Sequence, residues 1–200
     1  MTSMQVPIEF SKPLLLGSSN LGKLAEISCF ASQLGFSVVG LNASEFTALG
    51  EPPRVAEVAD SYEGNALLKA RAYARHYARS CLADDTGLEI PMLGDLPGIH
   101  TARWGLARVM REVRGMRCVP ARFVCAMAYV EPSGRSVVTH GVVEGYLRDM
   151  ALPTGGEKPL PFGDFFFPQN SQAPIGYLVS KGFTGSHRFR ALAALVTALS

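Results

Sequence analysis

Residues 81–104 read CLADDTGLEIPMLGDLPGIHTARW. An apolar lead-in, Cys81 to Ala83, stops at two adjacent carboxylates, Asp84 and Asp85, and a Thr-Gly pair, a Pro-Gly pair and Arg103 follow within the same segment. An apolar run that breaks off in Asp-Asp-Thr-Gly predicts a short strand, Cys81 to Ala83, handing its carboxylates to an acidic turn at the edge of a sheet. A hard cation or an attacking water could use them there. Asp and Gly are also ordinary turn residues, so the pair taken alone favours a merely capped turn. The flanking sequence has to decide.

Upstream, Pro13 to Gly17 (PLLLG) is a strand candidate followed at once by SSNLGK and a helical pattern, with Leu24, Ile27, Ala31 and Leu34 on one face and an end near Gly35. Phe36 to Val39 predicts a second strand. Leu41 to Asp60, interrupted by Pro52-Pro53, predicts loop with a short irregular element, and its one notable acid is Glu57. From Glu63 to Arg79, Leu67, Ala70, Ala74 and Ala78 share a helical face, while Lys69, Arg71, Arg75, His76 and Arg79 fall on the rest. Downstream, a helix is predicted over Leu106 to Met116 and a strand over Arg122 to Val130. The Glu131-Pro-Ser-Gly134 turn then makes Arg135 to Leu147 its hairpin partner. Gly155 to Gly163 is loop by composition, Phe165 to Phe167 should plug the core, and Ser186 N-caps a last helix with Phe189, Leu192, Leu195, Val196 and Leu199 inside.

Two hundred residues with 48% hydrophobic content are enough for one sizeable core, and residues 1–200 are expected to form a single domain behind a loose leader at 1–12. The 19 basic and 17 acidic residues nearly balance, which argues against a nucleic-acid polymer or a membrane surface as partner and favours a small anionic ligand in a local basic pocket. Cys29, Cys81, Cys118 and Cys125 lack CxxC spacing and lie in apolar stretches, so buried reduced thiols are expected, and with them a reducing, cytoplasmic location. No stretch carries the roughly 18 uninterrupted apolar residues of a membrane span.

Gly17 to Leu24, GSSNLGKL, nearly matches the phosphate-cradling loop GxxxxGK[ST] and lies between strand and helix as that loop does. Backbone N–H groups at a helix start attract anions, Gly22 allows close approach, and Lys23 adds a point charge. Leu24 has no hydroxyl for magnesium, however. An N-capped helix with a surface lysine explains the same residues. His187-Arg188 opens the last helix, where a guanidinium can pair with an anion and a neutral imidazole can stack or hydrogen-bond. His76, His100 and His140 show no partner pattern and read as structural.

Taken in order, SSNLGKLAEI, SYEGNALLKA, LADDTGLEI, LPGIHTARW and SHRFRAL resemble the inosine triphosphate pyrophosphatase family, the Ham1-like nucleotide hydrolases, over most of residues 14–195. The resemblance implies an α/β fold with a long curved mixed central sheet flanked by helices, two lobes with a cleft, a homodimer, and magnesium-dependent hydrolysis of non-canonical purine nucleoside triphosphates such as ITP, dITP and XTP to the monophosphate and pyrophosphate. Position by position it implies that Ser18, Asn20 and Lys23 grip the triphosphate and that Asn65 and Lys69 line its phosphate side. It makes Thr86 a substrate contact and has His187 and Arg188 recognise the purine. Glu57, Asp85 and its neighbour Asp84 become the metal ligands, with Asp85 also the acid that activates water. PFGDFFFP at 161–168 stands where the family has a GFGYDPxF-like run: Phe162 and Gly163 align, Asp164 aligns only with one residue deleted, and Lys181 lies one residue further from Ser186-His187 than its counterpart. Gly64 replaces a usual Glu. The departures cluster on the base-recognition side.

Overall fold

The computed structural model describes residue 10, residues 12–148 and residues 162–200. The leader predicted for residues 1–12 lies outside the described residues except at positions 10 and 12. The predicted 155–163 loop likewise lies outside them up to residue 161.

Three strands run parallel at one side of the sheet: β1 (Leu14–Leu16), β2 (Val38–Gly40) and β3 (Cys81–Ile90). β3 is also the junction to an antiparallel half, pairing with β5 (Val119–Val130), which continues through β6 (Ser136–Leu147) to β7 (Phe166–Pro168). β4 (Leu96–Gly98) adds to the far end of β3, so the seven strands form one mixed sheet in the order β2-β1-β3-β5-β6-β7. Helices α1 (Leu21–Gln33), α2 (Ser44–Thr47), α3 (Tyr62–Tyr77), α4 (Thr101–Glu112), α5 (Ile175–Ser180) and α6 (His187–Leu199) complete the described fold.

The apolar residues form two clusters, one on each face of the sheet. Leu82, Leu88, Phe123, Cys125 and Met127 meet Ile27, Phe30, Leu192 and Leu195 of α1 and α6 on one face. On the other, Cys81, Ala83, Ala126 and Ala128 meet Ala66, Ala70 and Ala74 of α3. Small side chains on both sides of that second contact let α3 lie close to the strands, which shortens the reach of its polar residues to β3. α6 is seated by a similar device. A Cβ on Gly141 of β6 would collide with the His187 carbonyl oxygen and would come within 2.5 Å of Ala191 N.

β3 differs most from expectation. Instead of ending at Ala83 in an acidic turn, it runs on to Ile90, ten residues in all, because β5 pairs with it from Cys81 to Glu89, Asp84 opposite Met127 and Asp85 opposite Ala126. A full-length antiparallel partner satisfies the backbone that a turn would otherwise have to satisfy. The helix predicted at Leu106 to Met116 starts five residues earlier, at Thr101, and the chain bends at Gly105, whose φ of 67° is open to glycine. The β5–β6 turn forms as read, with Glu131 N donating to Arg135 O at 2.9 Å. Ser186 caps α6 through Phe189 N, and Phe166 and Phe167 are buried. All four cysteines are free. Cys81 and Cys125 are buried as expected, but Cys29 and Cys118 are exposed: Cys29 projects off the apolar stripe of α1, and Cys118 immediately precedes β5. No described helix is long and apolar enough to cross a membrane.

Candidate active site

β3 has a strand on both edges only at its ends. β1 accompanies it at Cys81–Leu82, β4 at Leu88–Ile90, and between them Ala83 to Gly87 are paired on the β5 side alone. A crevice at a point where strand order changes is where open α/β sheets bind ligands. Here a cleft of about 820 Å³ opens, lined by Ser18, Asn20, Lys23, Glu57, Lys69, Asp85, Thr86, Phe162 and Arg188 among others. Such a volume suits a small-molecule ligand of nucleotide size.

Side chains alternate along a strand, so adjacent Asp84 and Asp85 face opposite sides of the sheet. Asp85 points to the α3 face. Asn65 Nδ2 donates to its Oδ2 at 3.2 Å and Lys69 Nζ stands 3.6 Å from its Oδ1, while the same ammonium lies 2.8 Å from Glu57 Oε1. Asn65 is itself fixed, because its Oδ1 accepts from Ala59 N at 3.0 Å. Thus α3, seated on alanines, presents one amide and one ammonium to the carboxylate. Burial pushes the Asp85 carboxyl up; Lys69 opposes this and the charge of Glu57 adds to it, leaving a net upward shift. Burial alone would lower the Lys69 ammonium, but Asp84, Asp85 and Glu57 together raise it.

Asp84 points to the other face and is only 1% exposed. It receives Lys23 at 2.9 Å, Arg188 Nε at 3.1 Å and the Thr86 hydroxyl at 2.9 Å. Arg188 in turn meets Glu26 Oε2 at 2.6 Å. Burial would raise the Asp84 carboxyl, but Lys23 and Arg188 hold it well below the usual carboxylate range. Arg188 stays charged against its own burial through Glu26 and Asp84. Glu26 is pushed up by burial, against the pull of Arg188. The oxygens of Asp84 thus serve Lys23, Arg188 and Thr86, and Asp84 is not among the residues of the cleft wall.

Asn20 caps α1, its Oδ1 accepting from Lys23 N at 3.1 Å, which places Gly22 and Lys23 in the first turn of a helix whose start opens on the cleft. His187 is fully buried and stacked on Phe123, ring centroids 4.9 Å apart at 18°, and neither ring nitrogen has a protein partner among the described residues. Burial and then Arg188 push it well below the ordinary histidine range, which makes it neutral. Phe123 and Phe162 are cleft wall; His187 lies behind Phe123. Gly163 and Asp164 are buried beside the wall, Gly163 O accepting from Gly176 N at 2.9 Å. Lys181 is not brought to the cleft: it is exposed beyond α5, with its ammonium 5.8 Å from the Tyr177 ring. Sequence reading missed Glu26, Arg54, Tyr73 and Phe123, of which only Glu26 carried a signal, as an acid on the apolar stripe of α1.

The Ham1 family model matches residues 14–198. The dITP/XTP pyrophosphatase of Symbiobacterium thermophilum is 36% identical over 194 residues, covering 91% of this chain and 92% of that protein. The enzyme of the same name from Geobacillus kaustophilus is 30% identical over 195 residues, covering 92% of each. Among solved structures, the Ham1 protein of Staphylococcus aureus superposes with a TM-score of 0.72 at 26% identity, covering 94% of this chain and 98% of that one. A nucleoside-triphosphatase / dITP/XTP pyrophosphatase from Mycobacterium abscessus gives 0.62 at 31% identity, covering 94% and 96%. A match of this extent, on a chain whose motifs meet in one cleft, places the protein in the Ham1 family.

Proposed function

We propose that the protein hydrolyses non-canonical purine nucleoside triphosphates (dITP, XTP, ITP) to the nucleoside monophosphate and pyrophosphate, with Asp85 as the acid that takes the proton from water. Water oxygen bonds to the α-phosphorus, the bond from that phosphorus to the α–β bridging oxygen breaks, and pyrophosphate leaves. One observation carries the assignment. Inside the cleft, Glu57 and Asp85 converge on a single cation, the Lys69 ammonium, at 2.8 and 3.6 Å. Two converging carboxylates suit magnesium, which commonly completes its shell with water and substrate phosphate oxygens. Magnesium bound there would offset phosphate charge. Asp85, raised by burial and shared with Asn65, is the general base of this reading. Lys23, Lys69 and the start of α1 supply fixed positive charge for the phosphates.

Asp84 in this reading holds Lys23 and Arg188 in place. Base selection belongs to the Phe123, Phe162 and Arg188 wall, with the neutral His187 behind it. A keto group at the purine 6-position accepts where adenine's amino group donates, so a fixed donor there would reject ATP. Homodimer formation belongs to the same proposal, tested by sedimentation. Four free cysteines support a reducing compartment.

The test is product analysis with dITP, XTP, ITP, GTP and ATP, with and without magnesium. Pyrophosphate from the first three, dependent on magnesium, is expected. Orthophosphate from the γ position would replace this reading with a P-loop-type phosphohydrolase. Stabilisation by ITP without product would leave a nucleotide-binding module.

A further inference from the structure

The cations on the cleft wall are unequally committed. Lys23 is paired with Asp84, Lys69 with Glu57 and Asp85, and Arg188 with Glu26 and Asp84. An incoming triphosphate therefore meets three positive groups whose charge is already largely offset by carboxylates. Arg54 is different: it lines the same cleft and is exposed, and it has no ion pair or hydrogen bond among the described residues. It sits on the 51–55 stretch, all five residues of which line the cleft. Pro52 and Pro53 precede it directly, and two fixed φ angles lower the entropy of keeping a guanidinium at the lip.

We propose that Arg54 is a phosphate-binding residue of this cleft, pairing with the triphosphate without first releasing a protein carboxylate. The inference rests on the nucleotide reading above and adds a residue to it. An uncommitted guanidinium at an open edge gives bidentate contact to phosphate oxygens and a long-range pull on the incoming anion. Being exposed, it acts through water-screened attraction, so its contribution weakens as salt rises. Contacts to the base or sugar would show the opposite pattern, affecting selectivity and leaving salt dependence alone.

The experiment compares Arg54→Gln, Arg54→Lys and the exposed Arg75→Gln of α3, which removes the same charge away from the cleft. Steady-state kinetics with dITP are measured at low and moderate salt, together with direct binding of inorganic tripolyphosphate, which requires no turnover. Arg54→Gln should raise KM and weaken tripolyphosphate binding by about three- to tenfold while kcat holds within about twofold, and the effect should shrink as salt rises. Arg54→Lys should recover part of the loss, and Arg75→Gln should match the wild type. Wild-type tripolyphosphate binding by Arg54→Gln overturns the inference, as does an equal loss in Arg75→Gln or a change confined to the ITP-to-ATP ratio. Should the unaltered protein bind tripolyphosphate yet release no pyrophosphate, the catalytic reading fails while the role of Arg54 is still decided by binding.

Discussion

The two faces of β3 hold neighbouring aspartates in opposite circumstances. On the α1/α6 face, Asp84 is enclosed by Lys23, Arg188 and Thr86, and its carboxyl is held strongly ionised. On the α3 face, Asp85 keeps one amide and one more distant ammonium, shares its surroundings with Glu57, and is shifted upward. Identical side chains one residue apart thus differ in partners, access and proton affinity. The strand pleat does the sorting. A carboxylate whose charges are matched is structural, and one left partly unmatched beside a cleft is available for chemistry.

The largest expected effect separates the two by activity. Asp85→Asn should reduce kcat for pyrophosphate release by about 10²–10⁴-fold, the range of general-base assistance, with little change in the folded state. Its melting temperature should equal or slightly exceed that of the wild type, because a carboxyl whose pKa is raised by folding is more costly charged in the native state than in the unfolded one. Measured side by side, retained turnover in Asp85→Asn would break the contrast.

Asp84→Asn should do the reverse, costing stability first. Removing one partner of a buried ion cluster leaves Lys23 and Arg188 under-compensated, a loss of about 3 kcal/mol. For a chain of this size that lowers the melting temperature by roughly 6–12 °C. The sign follows from the depressed carboxyl: its stabilisation is present above the unfolded pKa of about 3.9 and disappears as pH falls through the lower folded value. The gap between wild type and variant should therefore persist from neutral pH to about pH 4 and narrow only below that, which thermal melts at several pH values would show. Activity in Asp84→Asn should fall less than in Asp85→Asn when both are assayed well below their melting points.

The sequence disclosed this contrast only in part. Apolar and helical periods announced the β5–β6 hairpin and α6, because those patterns are local, while the α/β class came with the family resemblance. The ordered motifs named the polar residues that gather around Asp85: Asn65 and Lys69 sit one turn apart on α3 and Glu57 precedes that helix, and the seating of α3 on the sheet brings them to a strand further along the chain. What local reading could not supply was β3 itself. Asp-Asp-Thr-Gly looks like a turn until β5 pairs with it, and a long-range ladder overrides the local preference of Asp and Gly. A turn would keep both acids together at one edge, whereas the strand pleat sends them to opposite faces. Two of the groups tied to Asp84, Arg188 and through it Glu26, lie at the other end of the chain and on the apolar face of α1. Lys181 was carried over by motif alone, and nothing local could show that α5 ends with it facing solvent.

The smallest effect tests whether the faces are independent. Cys81 lies on the Asp85 face and Cys125 on the Asp84 face, opposite Thr86 in the β3–β5 register. Burial pushes both thiols up to about 12, so at pH 8 neither supplies appreciable thiolate in the folded protein. A thiol reagent should therefore modify Cys29 and Cys118 quickly and the other two only after unfolding, giving two fast equivalents and two slow ones. In Asp84→Asn, loss of the ion cluster should loosen the packing around Cys125. A local opening easier by about 1.4 kcal/mol would speed its labelling about tenfold and leave Cys81 at the wild-type rate. Mass spectrometry of timed samples resolves the two sites. Equal acceleration of both cysteines would mean that the cluster stabilises the whole sheet, in which case the pleat separates the aspartates chemically without separating the faces mechanically.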